Sequence, residues 1–327
     1  LQTAVQLPDG CVTQVLDIDY RTFLPGRIQD PNENIQEARY NALGEMQVSS
    51  FHGTELGLPV GFKPLADYVP PADRSPATAI ANPVAAIGEY ATAIFSDPFS
   101  WMGRISQASP PPEAWRTWAR AEGFILPSGH LCDRARQHML GLQNPSPNEV
   151  ILQQQLDAAQ REPVHVATLQ ADRYPGDPEA QVRIAIACFD GFARTLQTKQ
   201  EVEPGLAYVV DENGALKLGA DGKPVQQQAA RRWRVSERVE YNNKGVTVRV
   251  YRPYFADQTR YINDQSFRQH GYCDRLYYDA PGRLVRTVAA KDDLEDRQTY
   301  LGWYTIAEDK NDTYEEVMAR KAKDAKA

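Results

Sequence analysis

One short motif returns three times in this chain and constrains its fold more than any other feature. Tyr278-Asp279-Ala280-Pro281-Gly282-Arg283-Leu284 is the fullest copy. Phe189-Asp190-Gly191-Phe192-Ala193-Arg194-Thr195-Leu196 is the second, and Tyr40-Asn41-Ala42-Leu43-Gly44-Glu45-Met46 the third, with Asn for Asp. Each copy reads as the end of one strand, a tight turn and the start of the next. The aromatic residue closes a strand and packs on the sheet. Asp or Asn caps the turn through its side chain and tolerates a left-handed backbone. Glycine supplies positive φ at no steric cost. Self-similarity of this kind marks an array of supersecondary units.

The rest of the chain is mostly consistent with such an array. Val12 to Tyr20, Ile35 to Tyr40 and Glu45 to Phe51 read as strands divided by turns at 31–34 and 41–44. Residues 58–84 are rich in Pro and Ala and read as a long surface loop, with a short strand or turn near Asp97 to Trp101. Helical signals follow. Pro110-Pro111-Pro112 precedes a helix that places Trp115, Trp118 and Ala119 on one face. Further helices are expected over Leu131 to Leu142 and Asn148 to Arg161. The β signal returns at Pro163. Ile184 to Phe189 is a strand, and Asp211-Glu212-Asn213-Gly214 predicts a hairpin between Leu206–Val210 and Ala215–Leu218. The cleanest alternation runs from Trp233 to Tyr254, turning at Asn242-Asn243-Lys244-Gly245, with one apolar and one charged face. Tyr314 to Lys323 predicts a frayed terminal helix.

Bulk properties exclude some classes. A net charge of -7 lacks the basic stripe of a nucleic-acid surface. No run of about 18 apolar residues could span a membrane as a helix. The start, Leu1-Gln2-Thr3-Ala4, has neither a basic nor an apolar leader segment, and the missing Met suggests an excised or processed piece. Cys11, Cys132, Cys188 and Cys273 lie far apart and are expected as free, half-buried thiols.

Catalytic and metal signals are weak. His130, Cys132 and His138 do not have zinc-site spacing and read as solvated or packed helix residues. Asp292, Asp293, Glu295 and Asp296 read as a solvated acidic turn without a calcium-loop pattern. Glu308, Asp309 and Asp312 read as turn caps rather than an acid–base pair. Ser128-Gly129-His130 lacks the strand–turn–helix setting of a nucleophile elbow. Glu201-Val202-Glu203 has the spacing of an ADP-ribosyltransferase pair but runs straight into Pro204-Gly205. No catalytic, cofactor-binding or metal residue is assigned.

The repeat resembles the YD repeat of RHS proteins, and longer blocks are similar to the B component of bacterial insecticidal toxin complexes. These blocks are Phe189 to Arg194 with Gln197; Arg232-Trp233-Arg234-Val235-Ser236 followed by Tyr241-Asn242-Asn243-Lys244-Gly245; Tyr251-Arg252-Pro253-Tyr254-Phe255; and Trp303 to Thr313, which includes Asp309 and Asp312. Asp30-Pro31-Asn32-Glu33-Asn34 resembles the turn that precedes a YD unit, with Glu33 for Gly, and Ala193 replaces the Gly of the second copy. The resemblance implies a mainly β fold: a curved antiparallel strip of YD/RHS-type hairpins, part of a hollow shell, with a helical insertion. It implies YD-type hairpins over 1–57, a long loop with short strands over 58–110, the insertion over 111–161, RHS-type shell hairpins over 162–315 and a charged tail over 316–327.

In that family the shell encloses a cytotoxic cargo carried by the C component, and a propeller absent from a chain this short docks on the A-type translocation channel. The implied partners are therefore the remainder of the B-type shell, the C component and, through the propeller, the A-type channel. The protein would be secreted and without enzymatic activity. The family's autoprotease motif, which belongs to the C component, has no counterpart here. The structural motif residues are Tyr40, Gly44, Asp190, Gly191, Arg194, Trp233, Tyr241, Gly245, Tyr254, Tyr278, Asp279, Gly282, Arg283, Trp303, Asp309 and Asp312. The alternative is an extracellular adhesion or glycan-binding β module, which needs exposed aromatics such as Trp303 or Trp101 on one outer face.

Overall fold

The computed structural model describes residues 3–106, 109–211, 214–262 and 272–324. The chain is mainly β, with 39% of residues in strands and 18% in helices. It folds as two compact units, Leu1–Ile186 and Ala187–Ala327.

The first unit opens with β1 (Ala4–Gln6), β2 (Val12–Asp19), β3 (Leu24–Gln29), β4 (Ile35–Tyr40), β5 (Met46–Glu55) and β6 (Leu58–Gly61). Each pairs antiparallel with the next. The long β5 also pairs with β7 (Thr92–Asp97) through Val48 and Ser49, and β7 pairs with β8 (Val164–Ala171), Phe95 opposite Ala167. Inward residues Val48, Ala93, Phe95, Ala167 and Leu169 are buried. β9 (Val182–Phe189) alternates buried Ile184, Ile186 and Cys188 with outward Arg183 and Ala185, as a half-buried strand should.

The Pro- and Ala-rich stretch expected as a loop contains α1 (Pro76–Ala81) and α2 (Pro83–Ile87), which pack on β7 and β8. Ser75 and Asn82 accept hydrogen bonds from Thr78 N–H and Ala85 N–H, and each is followed by Pro in the first helical turn, where no N–H is missed. The insertion between β7 and β8 holds α3 (Glu113–Ala121), α4 (Asp133–Met139) and α5 (Pro147–Ala158). It has its own core of Ile105, Trp115, Ala119, Phe124, Ile125, Leu131, Ala135 and Leu152, with Trp118 packed against it. Trp115 donates Nε1–H to Asn148 O at 2.9 Å.

In the second unit β10 (Thr195–Val202) pairs antiparallel with β13 (Arg232–Ser236), and β13 with β16 (Tyr254–Ala256). β11 (Gly205–Tyr208) pairs antiparallel with β12 (Gln226–Ala229) and meets β16 in parallel at Tyr208 and Ala256. The turn expected at 211–214 forms: Asp211 N–H donates to Ala215 O at 2.8 Å, Gly214 N–H to Asp211 O at 3.1 Å and Lys217 N–H to Val209 O at 2.9 Å, and Val210 bridges Leu216. Leu206–Tyr208, expected in the same hairpin, pairs instead with 226–228. Asn213, on which that expectation rested, lies outside the described residues.

A separate six-stranded antiparallel sheet follows the order β14 (Val239–Tyr241), β15 (Thr247–Tyr251), β17 (Cys273–Tyr278), β18 (Leu284–Val288), β19 (Glu295–Tyr300) and β20 (Thr305–Glu308). The expected single hairpin from Trp233 to Tyr254 is thus two pieces. Glu237, at φ 54, breaks the strand after Ser236; β13 pairs with β10 and β16, while β14 pairs with β15. α6 (Tyr314–Asp324) buries Val317 and is tied to β19, so it is docked rather than frayed. The four thiols are free; Cys132 and Cys273 are half-buried, whereas Cys11 is exposed and Cys188 buried.

Candidate functional site

The repeated turn is built in one way at most of its copies. An Asx side chain at the first position accepts the N–H groups of the third and fifth residues. Asn41 Oδ1 takes Leu43 and Glu45 N–H, each at 2.9 Å. Asp190 takes Phe192 and Arg194 at 2.8 and 3.0 Å. Asn242 takes Lys244 and Val246 at 2.9 and 3.2 Å, and Asp30 takes Asn32 and Asn34 at 2.9 and 2.8 Å. Asp279 accepts from Arg283 N–H at 2.8 Å.

The backbone closes each loop. The first N–H donates to the fifth carbonyl, and the fourth N–H to the first carbonyl. The fourth residue is left-handed: Gly44, Gly245 and Gly282 at φ 83, 78 and 95, but Glu33 at 65 and Ala193 at 58. Gly191 has no positive φ, so the conformational freedom in the second copy falls on Ala193 instead.

At the fifth position an arginine completes two copies. Arg194 Nε donates to Asp190 Oδ2 at 2.7 Å and Arg194 Nη1 to Gly245 O at 3.1 Å, while its guanidinium lies 4.2 Å from the centre of the Tyr241 ring. Arg283 donates to Asp279 Oδ2 at 2.7 Å and lies 4.4 Å from the Tyr300 ring centre. Burial pushes the Asp190 carboxyl up, but hydrogen bonds from the Arg194 side chain, Arg194 N–H and Phe192 N–H outweigh it and hold it below the usual range. Asp279 is lowered in the same way, burial again opposing.

The tyrosines then link neighbouring turns. Tyr241 donates its hydroxyl to Thr195 O at 3.0 Å, Tyr278 to Thr247 O at 2.7 Å and Tyr300 to Leu284 O at 3.2 Å. Each acceptor lies five residues after the Asx of an earlier turn: Asp190, Asn242 and Asp279. Tyr40 makes the equivalent bond to Pro25 O at 3.0 Å. Burial raises the Tyr40 and Tyr278 hydroxyls, consistent with donors kept in their neutral form.

The remaining motif residues separate into core and surface. Tyr251 and Tyr254 are buried with Val235, Ala256 and Ile262, and Trp233 is buried on β13. Tyr254 accepts from Gln197 Nε2 at 3.2 Å, and burial raises its hydroxyl. Tyr251 donates to Glu240 at 2.6 Å and is pushed up to about 12 by burial and that hydrogen bond. Trp303 is 99% exposed, beside exposed Tyr304. Asp309 accepts from Asn311 and Asp312 N–H at 2.7 and 3.2 Å, and Asp312 accepts Asp309 N–H at 3.0 Å, a reciprocal cap before α6.

Two expectations are corrected here. Glu295 is not part of a solvated turn. It is 1% exposed, accepts from Arg297 at 2.9 Å and from Arg320, and lies 3.8 Å from Arg286. Burial opposes its charge, but the Arg320 and Arg297 hydrogen bonds hold its carboxyl below the usual range. His130 precedes α4 in a turn; it is 4% exposed and contacts Asp97 and Ser128. Glu201 pairs with Arg231 at 2.6 Å across the sheet. Among the described residues no three His, Cys, Asp or Glu side chains converge as metal ligands. Tyr300, Arg320 and the buried role of Glu295 escaped the sequence reading, because each depends on which strands lie side by side.

No protein-family model and no curated protein matches the chain. Solved structures do. A TcdB2–TccC3 structure without its hypervariable C-terminal region is 31% identical, with a TM-score of 0.78 over 96% of this chain. A structure named TcdB2–TccC3–Cdc42 is 32% identical, with a TM-score of 0.75 over 94%. A Tc holotoxin pore of Photorhabdus luminescens is 31% identical, with a TM-score of 0.75 over 97%. This chain spans 14% of the length of each of those chains. In fold and in sequence this chain is similar to a stretch of those TcdB2–TccC3 toxin-complex structures, consistent with a B-type RHS shell.

Proposed function

We propose that this chain is a wall segment of an RHS shell that encloses a cytotoxic cargo for delivery. The observation that carries the reading is similarity along nearly the whole chain to complexes named for a B and a C component together. The linked turns support it. In the six-stranded sheet they fix each hairpin to the one before it. The mechanism is steric: a wall keeps an unfolded polypeptide inside and proteases outside. The partners in this reading are the rest of the B-type shell, a C component that carries the cargo and, through a propeller elsewhere in a longer polypeptide, an A-type channel. The complex would act outside the producing cell. Among the described residues no helix is long and apolar enough to cross a membrane.

The test is protease protection. A polypeptide carrying this segment is co-purified with its C-type partner and treated with trypsin. The C-terminal cargo should stay intact until the complex is denatured. Cargo digested at one rate with and without the B-type polypeptide refutes the reading. The fully exposed Trp303, beside Tyr304, favours a second reading, adhesion through an aromatic platform. Loss of glycan-array binding in Trp303→Ala would support that one instead.

A further inference from the structure

The turn over residues 126–130 shares the backbone pattern of the repeat but carries different chemistry. Leu126 N–H donates to His130 O at 2.9 Å, Gly129 N–H to Leu126 O at 2.8 Å, and Gly129 has φ 84. Ser128, at its tip, is exposed, and its Oγ lies 2.8 Å from His130 Nδ1. His130 Nε2 lies 3.1 Å from Asp97 Oδ2 at the end of β7. Burial opposes the Asp97 charge, but the His130 contacts and Phe99 N–H hold its carboxyl below the usual range. Asp97 is therefore an acceptor only at neutral pH. That assigns the imidazole tautomer: Nε2 carries the proton and donates to Asp97, and the Nδ1 lone pair accepts the Ser128 O–H.

The imidazole is 4% exposed, with Phe99 at 5.8 Å between ring centres, while the serine stays open to solvent. Arg104 donates Nε–H to Ser128 O at 2.9 Å and brings a cation to the same turn. The other basic group that acts on Asp97 is His165, whose Nδ1 is engaged by Pro163 O at 3.0 Å.

We propose that Ser128, His130 and Asp97 form a proton relay that makes Ser128 a nucleophile toward small activated esters. Nucleophile, base and orienting carboxylate are recognised by geometry and role rather than by sequence order. The two ring nitrogens are used in the reverse of the usual sense, which the roles allow. Ser128 Oγ attacks the ester carbonyl carbon and passes its proton to Nδ1. The imidazolium, held by Asp97, returns that proton to the departing alkoxide as the carbon–oxygen bond breaks. Water then cleaves the acyl-serine by the same proton route, so ester and water give acid and alcohol. Arg104 supplies positive charge near the developing oxyanion. An open turn tip selects by leaving group rather than by a side-chain pocket, which points to aryl esters. The activity is independent of the shell reading.

The test treats the folded chain with an aryl fluorophosphonate and maps adducts by peptide mass spectrometry. With this probe the Oγ–P bond forms as fluoride leaves. Ser128 should react at least about 10-fold faster than Ser109, an exposed serine in another turn. The rate should fall as acid removes the free base that accepts the Ser128 proton. Asp97→Asn should slow it on the order of 100-fold or more, and Ser128→Ala should remove that adduct alone. Equal labelling of Ser128 and Ser109 overturns the proposal. So does a rate unchanged in a folded Asp97→Asn variant. Should that variant not fold, a flat pH profile for the unaltered chain overturns it equally.

Discussion

Replacing Glu295 by Gln keeps the shape of a buried side chain and removes its charge. Glu295 accepts charge-assisted hydrogen bonds from Arg297 at 2.9 Å and from Arg320, and its backbone carbonyl takes the Thr313 hydroxyl. Two hydrogen bonds to charged groups contribute about 1.5–3 kcal/mol each. The loss is offset because Arg297 keeps Glu316 at 2.7 Å, Arg320 is partly open to water, and Gln still accepts one bond. A net cost of about 3 kcal/mol remains, below that of a fully stranded buried charge. Hydrogen-exchange mass spectrometry on peptides covering 295–300 and 314–324 reads it locally, and about 3 kcal/mol is about a 100-fold faster exchange. Arg320→Met should cost less, and the double variant should show a coupling of about 1 kcal/mol or more. The pH dependence has a definite sign. The folded carboxyl lies below its ordinary value, so its stabilisation is complete above about pH 4.3 and is lost as pH falls through the folded value. The Gln variant should lack that part of the acid sensitivity. A cost under about 0.5 kcal/mol, or additive effects in the double variant, would refute this account of how α6 is held.

Other outcomes follow from the turns and the surface. Ala193→Gly relieves a left-handed backbone at an exposed site and should stabilise the second unit by about 0.5 kcal/mol in urea denaturation, after the unfolded-state cost of glycine. Tyr278→Phe removes the bond to Thr247 O and should cost about 1 kcal/mol in the same assay. Gly61→Ala should prevent β6 from pairing. Its Cβ would lie 2.6 Å from Phe51 O and 2.7 Å from His52 Cα, and circular dichroism and proteolysis near residue 58 report the loss. Trp303→Ala should change stability by less than about 0.5 kcal/mol, so any loss of binding it causes is read directly as a contact.

Much of the β architecture was legible because turn chemistry is local. Asp190, Asn41 and Asp279 announce their turns through residues within four positions. The copies at Asn242 and Asp211 were read only as hairpin turns, although Asn41 stands first and Ala193 fourth in copies that were recognised. Sheet membership was not legible. The alternation of Trp233 to Tyr241 continues in composition through a backbone break at Glu237 that composition does not register. The helices over 76–87 carried their signals, Ser75-Pro76 and Asn82-Pro83, inside a stretch whose overall composition reads as loop. Glu295 and the tyrosine acceptors depend on which strands lie side by side, and no spacing rule supplies that.

The backward reach of the tyrosines has a mechanical meaning. Tyr278 and Tyr300 each grip the hairpin made just before them rather than a shared centre, so cohesion in the six-stranded sheet passes from neighbour to neighbour. A sheet fastened like this can lengthen by duplication of one hairpin without disturbing distant ones. Pulled from its free edge, it should peel in steps of one hairpin, each step releasing a single tyrosine.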